Sequence, residues 1–236
     1  QHRRSKRRDD EPLPEWLKEA LRFFVELLPA LPGRKFFFGE KRRKRRPVIV
    51  YTDAMYDSAK TPAGMVGIVI YDPEDPEHKW RYASAGVTDE IISRFRPREQ
   101  YVGQLEVLAA VAAYTSRPAQ LRDRDVIHFI DNVGAYSGLG KGYSPDMDSA
   151  RMISVFHTMN AALRSNVWFE YVPSKANISD LPSRNEFELL HSSEYKAQPF
   201  ELVWPPLAAW AGEYGAVFAL YSDIRQRRSR KRAAPA

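Results

Sequence analysis

Between Pro14 and Leu31, the residues Trp16, Leu17, Leu21, Phe24, Val25 and Leu28 recur at intervals of three and four, which predicts an amphipathic helix. Pro29 to Gly33 supply its end and the turn beyond it. Three consecutive phenylalanines inside Lys35–Gly39 predict an extended piece packed on the body. From Pro47 the period changes. Val48–Thr52, Met65–Tyr71 and Lys79–Val87 are β-rich runs with short connections, and the second closes on the acidic, proline-marked turn Asp72-Pro-Glu-Asp-Pro. They predict an antiparallel meander. Helical spacing then returns with Val102, Leu105, Leu108, Ala109 and Ala112, giving a helix from about Arg98 to Thr115. A strand over Val126–Ile130, a helix over Ser149–Leu163, a strand over Val167–Val172 and a helix starting near Ser179 complete the pattern. The order β-β-β-α-β-α-β-α predicts a mixed α/β layout, one sheet with helices on both faces.

Past Leu190 apolar residues return at Phe200, Leu202, Trp204, Leu207 and Trp210, then in the run Ala216–Tyr221, as a small C-terminal element docking on the body would require. The expected division is a basic arm and helix over residues 1–46, a folded domain over 47–190 and an extension with a basic tail over 191–236. A hydrophobic content of 44% excludes a disordered chain. No apolar stretch approaches the roughly 18 residues of a membrane span, and no apolar core follows the N-terminal arginines as in a secretory signal. The chain starts without Met, as a fragment or processed piece would. Without cysteine there is neither a disulfide framework nor a thiolate zinc site, which fits an intracellular setting, cytoplasmic or nuclear.

Charge refines the picture. Of 36 Lys and Arg, 17 lie in three clusters, Arg3–Arg8, Lys41–Arg46 and Arg225–Arg232. Between Pro47 and Leu190 there are 14 Lys and Arg against 19 Asp and Glu, a net of −5 in a chain whose total is +6. The middle is mildly acidic and the flanking arms are basic. Such arms attract polyanions; the plainer alternative is a solvated tail.

Four acids fall at positions suited to one site. Asp53 ends the run Val48-Ile49-Val50-Tyr51 before an expected turn, and Asp131 ends Val126–Ile130. Glu106 stands alone in an apolar helix, with Val102, Ala109 and Ala110 as its neighbours one turn away. Asp180 follows the run Val167–Val172. Singly, each has a plain reading as a turn acid, a solvated helix residue or a helix first-turn acid. Jointly, carboxylates at two adjacent strand ends, on a crossing helix and at the start of a last helix suit hard divalent cations, which take oxygen ligands. Gly138-Leu-Gly-Lys-Gly142 lacks the spacing of a phosphate loop and is expected to be a flexible connection. His128 and His157 fall in apolar patterns as packing residues, and Ser137, Ser144 and Ser149 have no paired His and Asp.

The strings Val50-Tyr-Thr-Asp53-Ala54, Gln104-Leu-Glu106-Val-Leu-Ala109, Phe129-Ile-Asp131-Asn132 and Tyr171-Val-Pro-Ser-Lys-Ala-Asn177-Ile-Ser-Asp180-Leu-Pro-Ser-Arg184 resemble the ribonuclease H domain linked to reverse transcriptase in retroelement polyproteins. The resemblance covers about Pro47 to Arg184, and the helix upstream looks like the connector to the polymerase. It implies a ribonuclease H-like fold with a five-stranded mixed sheet, the first three strands antiparallel and the last two parallel to the first. It implies cleavage of the RNA strand of RNA–DNA hybrids with two Mg²⁺ or Mn²⁺ ions held by Asp53, Glu106, Asp131 and Asp180. Asn132 and Lys175 become candidate substrate contacts, and the polymerase domain a candidate partner. In one respect the chain departs from the pattern: where many relatives carry a His before the last Asp, it has Ser174-Lys175-Ala176. A rival reading is a non-cleaving module of the same fold that binds nucleic acid or protein, because fold alone does not establish activity.

Overall fold

The computed structural model describes residues 12–31, 45–210 and 214–233. The Phe36–Phe38 segment, the N-terminal basic cluster and most of Lys41–Arg46 lie outside the described residues. The chain divides into two compact units, Gln1–Leu31 and Pro32–Ala236. The first holds the expected helix, α1 (Glu15–Ala30), which stops where Leu31 takes extended backbone.

The second unit runs β1 (Val48–Tyr56), β2 (Gly64–Tyr71), β3 (Trp80–Val87), α2 (Asp89–Ile92), α3 (Val102–Ser116), α4 (Pro118–Leu121), β4 (Asp125–Ile130), α5 (Val133–Lys141), α6 (Met147–Leu163), β5 (Asn166–Tyr171), α7 (Asp180–Ser183), α8 (Glu188–His191), β6 (Gln198–Pro199), α9 (Leu207–Trp210) and α10 (Tyr214–Ala233). The strand order is β5-β4-β1-β2-β3-β6. β1, β2 and β3 form an antiparallel meander, while β4 pairs parallel to β1 and β5 parallel to β4. This is the ribonuclease H-like arrangement expected, with one correction. The sheet has six strands, because Gln198 and Pro199 pair with Arg81 and Tyr82. Proline is tolerated there because β6 is an edge strand, where the missing N–H is not needed.

The two faces follow from the alternation of side chains along each strand. Val48, Val50, Val66, Ile68, Ile70, Val126 and Ile130 are fully buried toward α3, whose residues Gln104–Tyr114 are buried without a break. An all-round apolar helix of this kind is a central one. α6 packs on α3, and α10 packs on α6 through Val217, Tyr221 and Ile224. On the opposite face Val69 and Tyr82 pack with Leu190 and Ala197, flanked by Ile178, Leu181 and Phe187. Each fully buried Leu, Ile or Phe contributes roughly 1.5–3 kcal/mol, so both layers are held mainly by this burial.

Two further expectations change. Asp53 does not precede a turn: β1 continues through it to Tyr56, because the ladder with β2 extends to Tyr56↔Gly64. The turn lies beyond, where Asp57 N–H bonds to the Ala63 carbonyl at 2.7 Å. The Gly138–Gly142 stretch is not a flexible connection but the last turns of α5, and Gly142 ends that helix at φ 79°, a left-handed position that suits glycine. Asp72 begins the expected turn, yet it is buried against Arg124, whose Nη1 and Nη2 reach its two carboxylate oxygens at 3.1 and 2.9 Å.

Candidate metal centre

The parallel register of β1 and β4 ends at Thr52↔Ile130, and the next residue of each strand is an aspartate. Asp53 and Asp131 therefore lie side by side. Glu106 comes from the second turn of α3, which crosses this end of the sheet. The three residues each place a carboxylate oxygen within 4.8 Å of the others. Asp53 and Glu106 are buried, with 6% and 3% of their surface exposed, and Asp131 is half-buried. Glu106 Oε2 is buried and has no hydrogen-bond partner. A buried carboxylate oxygen without a partner carries an unrelieved desolvation cost.

The electrostatics match that geometry. Burial raises Asp53 to about 6, and the charges of Asp131 and Asp180 push it the same way, against the opposing pull of the Ser183 hydroxyl and Arg184. Burial also raises Glu106 well above the usual carboxylate range, with Asp53 and Asp131 adding to the shift. Three close carboxylates resist ionising together. A divalent cation would reverse that penalty, and the set offers the hard oxygen donors that Mg²⁺ or Mn²⁺ takes. The residues present fit such an ion.

The segment 177–184 holds this arrangement from the other face of the sheet. Asn177 Nδ2 donates to the Thr52 carbonyl at 3.2 Å, and its Oδ1 accepts from the Ser179 hydroxyl at 2.6 Å. Ser183 Oγ bonds Asp53 Oδ2 and lies 2.9 Å from the Asp180 carbonyl; its single proton serves one acceptor at a time. Gly67, paired with Asp53 across the β1–β2 ladder, makes the close approach possible. A Cβ there would sit 2.3 Å from the Ser179 carbonyl oxygen and 2.5 Å from Ser183 N. Asn177 and Ser183 lie in the string that carries the resemblance, but with no role assigned to them, and Thr52 and Gly67 carry none either. Gly67 has a signal of its own, as a glycine inside an apolar strand run.

Asp180 stands at the start of α7 but outside the compact trio. Its carboxylate accepts from Arg184 Nε at 2.7 Å, and its charge still acts on Asp53 and Glu106. Asn132 caps α5, its Oδ1 accepting from Ala135 N at 3.0 Å. It also lines a cleft of about 350 Å³ with Gly103, Gly134, Lys141 and Tyr143. Lys175 is exposed on the single 3₁₀ turn Ser174–Ala176. His128 is packing and strut: burial pushes it down to about 3, so it stays neutral, and its Nε2 pairs with Thr52 Oγ1 at 2.9 Å beneath Asp53. His157 Nε2 donates to the Leu139 carbonyl.

No protein-family model matches the sequence, and no curated protein matches it. Among solved structures the chain is similar to RNase H1 from the halophilic archaeon Halobacterium salinarum NRC-1, at 17% identity and a TM-score of 0.38 over 57% of this chain and 91% of that one. It is also similar to LC11-RNase H1, isolated from compost by a metagenomic approach, at 16% identity and a TM-score of 0.39 over 62% and 99%. A third likeness is to the prototype foamy virus protease-reverse transcriptase, at 12% identity and a TM-score of 0.37 over 64% of this chain and 22% of that one. No described helix is long and apolar enough to cross a membrane.

Proposed function

We propose that this chain is a metal-dependent endonuclease that hydrolyses the RNA strand of RNA–DNA hybrids, as the ribonuclease H part of a retroelement reverse transcriptase polyprotein. One observation carries the reading: Asp53, Glu106 and Asp131 converge within 4.8 Å, and a fully buried Glu106 oxygen is left without a partner. The retroelement setting rests on the resemblance of the Asp53, Glu106, Asp131 and Asn177–Arg184 strings. Within that setting the polymerase domain is the expected neighbour, residues 47–190 are the catalytic part, and 1–46 and 191–236 are extensions.

In this reading Asp53, Glu106 and Asp131 hold divalent cations, Mg²⁺ or Mn²⁺, with Asp180 joining them. Two such ions supply activation of the attacking water and stabilisation of the leaving 3′-oxygen. The protein does the rest by position. Ser183 fixes one oxygen of Asp53 by a hydrogen bond from its hydroxyl. Because burial raises Asp53 to about 6, this carboxyl would keep its proton at mildly acid pH and release it on binding a cation. Asn132, next to Asp131 in sequence, and the exposed Lys175 serve as substrate contacts in this reading. Hybrid is distinguished from duplex DNA through 2′-hydroxyls across a shallow minor groove, and the basic arms add salt-dependent affinity without sequence preference.

The test is cleavage of a labelled RNA–DNA hybrid in Mg²⁺ and in Mn²⁺, with RNA and DNA duplexes as controls and Asp53→Asn alongside. Cutting of the RNA strand in the hybrid alone, abolished in Asp53→Asn, is the expected result. Binding of hybrid without cutting under either metal would replace this reading with that of a non-cleaving binding module.

A further inference from the structure

The four acids are not held alike. Asp53, Glu106 and Asp131 face one another, and no described Lys, Arg or His is ion-paired with any of them. Asp180 instead closes an ion pair with Arg184, one helical turn on, at 2.7 Å. The Arg184 guanidinium reaches beyond its partner: its charge acts on Asp53 as well, and the Asp53 charge acts back on it. A cation thus stands at the edge of the carboxylate set and bonds the one member left out of it.

We propose that Arg184 is a positioning residue that holds Asp180 away from the trio and thereby weakens a second divalent-cation site. This rests on the metal-centre reading above. The three-carboxylate site fills first, because its members already converge. The second cation draws on Asp180, and it binds more tightly once the Oδ1 held by Arg184 Nε is released.

The magnitudes suit a regulator rather than a lock. The Arg184 side chain is 57% exposed and that of Asp180 is 32% exposed. Exposed pairs four apart on a helix are weak, so a cation can displace this one. The guanidinium also repels an incoming dication across a few ångströms of partly screened space. Together these effects amount to roughly two- to tenfold in the affinity of the second site. A plain surface ion pair would act in the opposite direction. If Arg184 merely braced the four-residue α7, its removal would loosen Asp180 and weaken cation binding or leave it unchanged.

The sign decides between them. Mn²⁺ is titrated calorimetrically into the full chain at pH 7.5, comparing wild type, Arg184→Gln and Arg184→Lys, with circular dichroism to verify that each variant is folded. In Arg184→Gln the weaker binding step tightens about two- to tenfold, or becomes visible where wild type has only one step, while the tighter step stays within about twofold. Arg184→Lys keeps the charge and returns toward wild type. Raising the salt concentration shrinks the difference. A weaker step that is unchanged or loosened in Arg184→Gln overturns the role of Arg184 and leaves the metal centre standing. Wild-type protein that binds no Mn²⁺ at all overturns both.

Discussion

The two ends of the sheet bury acidic residues in opposite ways. At the end where β1 and β4 begin, Asp72 is 4% exposed and meets Arg124, itself 5% exposed, through two hydrogen bonds; Arg124 also bonds the Arg46 carbonyl. At the end reached by Asp53 and Asp131, two carboxylates are buried and a third lies beside them, and no described Lys, Arg or His is ion-paired with any of the three. Burying charge costs several kcal/mol per ion in either place. At the first end a protein cation offsets the cost. At the second it is left open, and an unrelieved cost maintained by the surrounding fold is how a site for an external cation differs from a structural ion pair.

The largest effect should come from breaking the balanced end. Arg124→Met leaves Asp72 buried and unpaired, and urea unfolding should register a loss of about 3–5 kcal/mol. Replacing both partners with apolar residues of similar volume should cost less, because the two desolvation costs leave together and only the bonds to the Arg46 carbonyl, Glu74 N–H and Gln120 are lost.

At the unbalanced end the sign should invert. Asp53 has its folded pKa raised from 3.8 to about 6, so the folded metal-free protein binds the proton more tightly than the unfolded chain. Its contribution is most favourable below pH 4 and is lost as pH rises through about 6. Asp53→Asn removes that loss. In EDTA the variant should match wild type near pH 4, gain on it up to pH 6 and hold a plateau of at most about 3 kcal/mol above pH 7. His128 acts in the other direction in both proteins. Its pKa is depressed to about 3, so stability falls as pH drops below 6.5, and taking the difference between the two proteins cancels this contribution.

Smaller effects sharpen how the open end is held. Gly67→Ala drives a methyl into the Ser179 carbonyl and Ser183 amide, and thermal unfolding should show a loss of about 1–3 kcal/mol. Ser183→Ala removes the hydroxyl that fixes Asp53 Oδ2. Outer groups of this kind act on affinity, and Mn²⁺ binding by calorimetry should weaken about tenfold with little change in melting temperature.

Period and order carried most of the architecture. The run of strands and helices from Val48 to Val172 was readable because β alternation and helical spacing are local properties. Asp53, Glu106 and Asp131 were readable as candidates because each breaks an apolar pattern. What the pattern could not give is pairing beyond the apolar run. Asp53 looked like a turn residue because the sequence turns polar there, whereas the ladder with β2 carries the strand on to Tyr56. Gly138–Gly142 looked flexible on composition alone, yet Leu139 and Gly138 are buried and hold it helical. Asp72 read as one more acid of a proline-marked turn, since its partner lies 52 residues away. The couplings of Asn177 to Thr52 and Ser183 to Asp53 span 125 and 130 residues, and no local signal announces them.

The most direct test is thermal unfolding of wild type and Glu106→Gln at pH 8, in EDTA and in excess Mg²⁺. Without metal the variant should be the more stable, because a neutral amide replaces a buried carboxylate whose Oε2 lacks a partner. With Mg²⁺ at about a hundred times its dissociation constant, wild type should gain about 2.7 kcal/mol and overtake a variant that barely moves. A wild type that Mg²⁺ does not shift, with a variant no more stable than it in EDTA, would contradict the claim that these buried carboxylates are held for a cation.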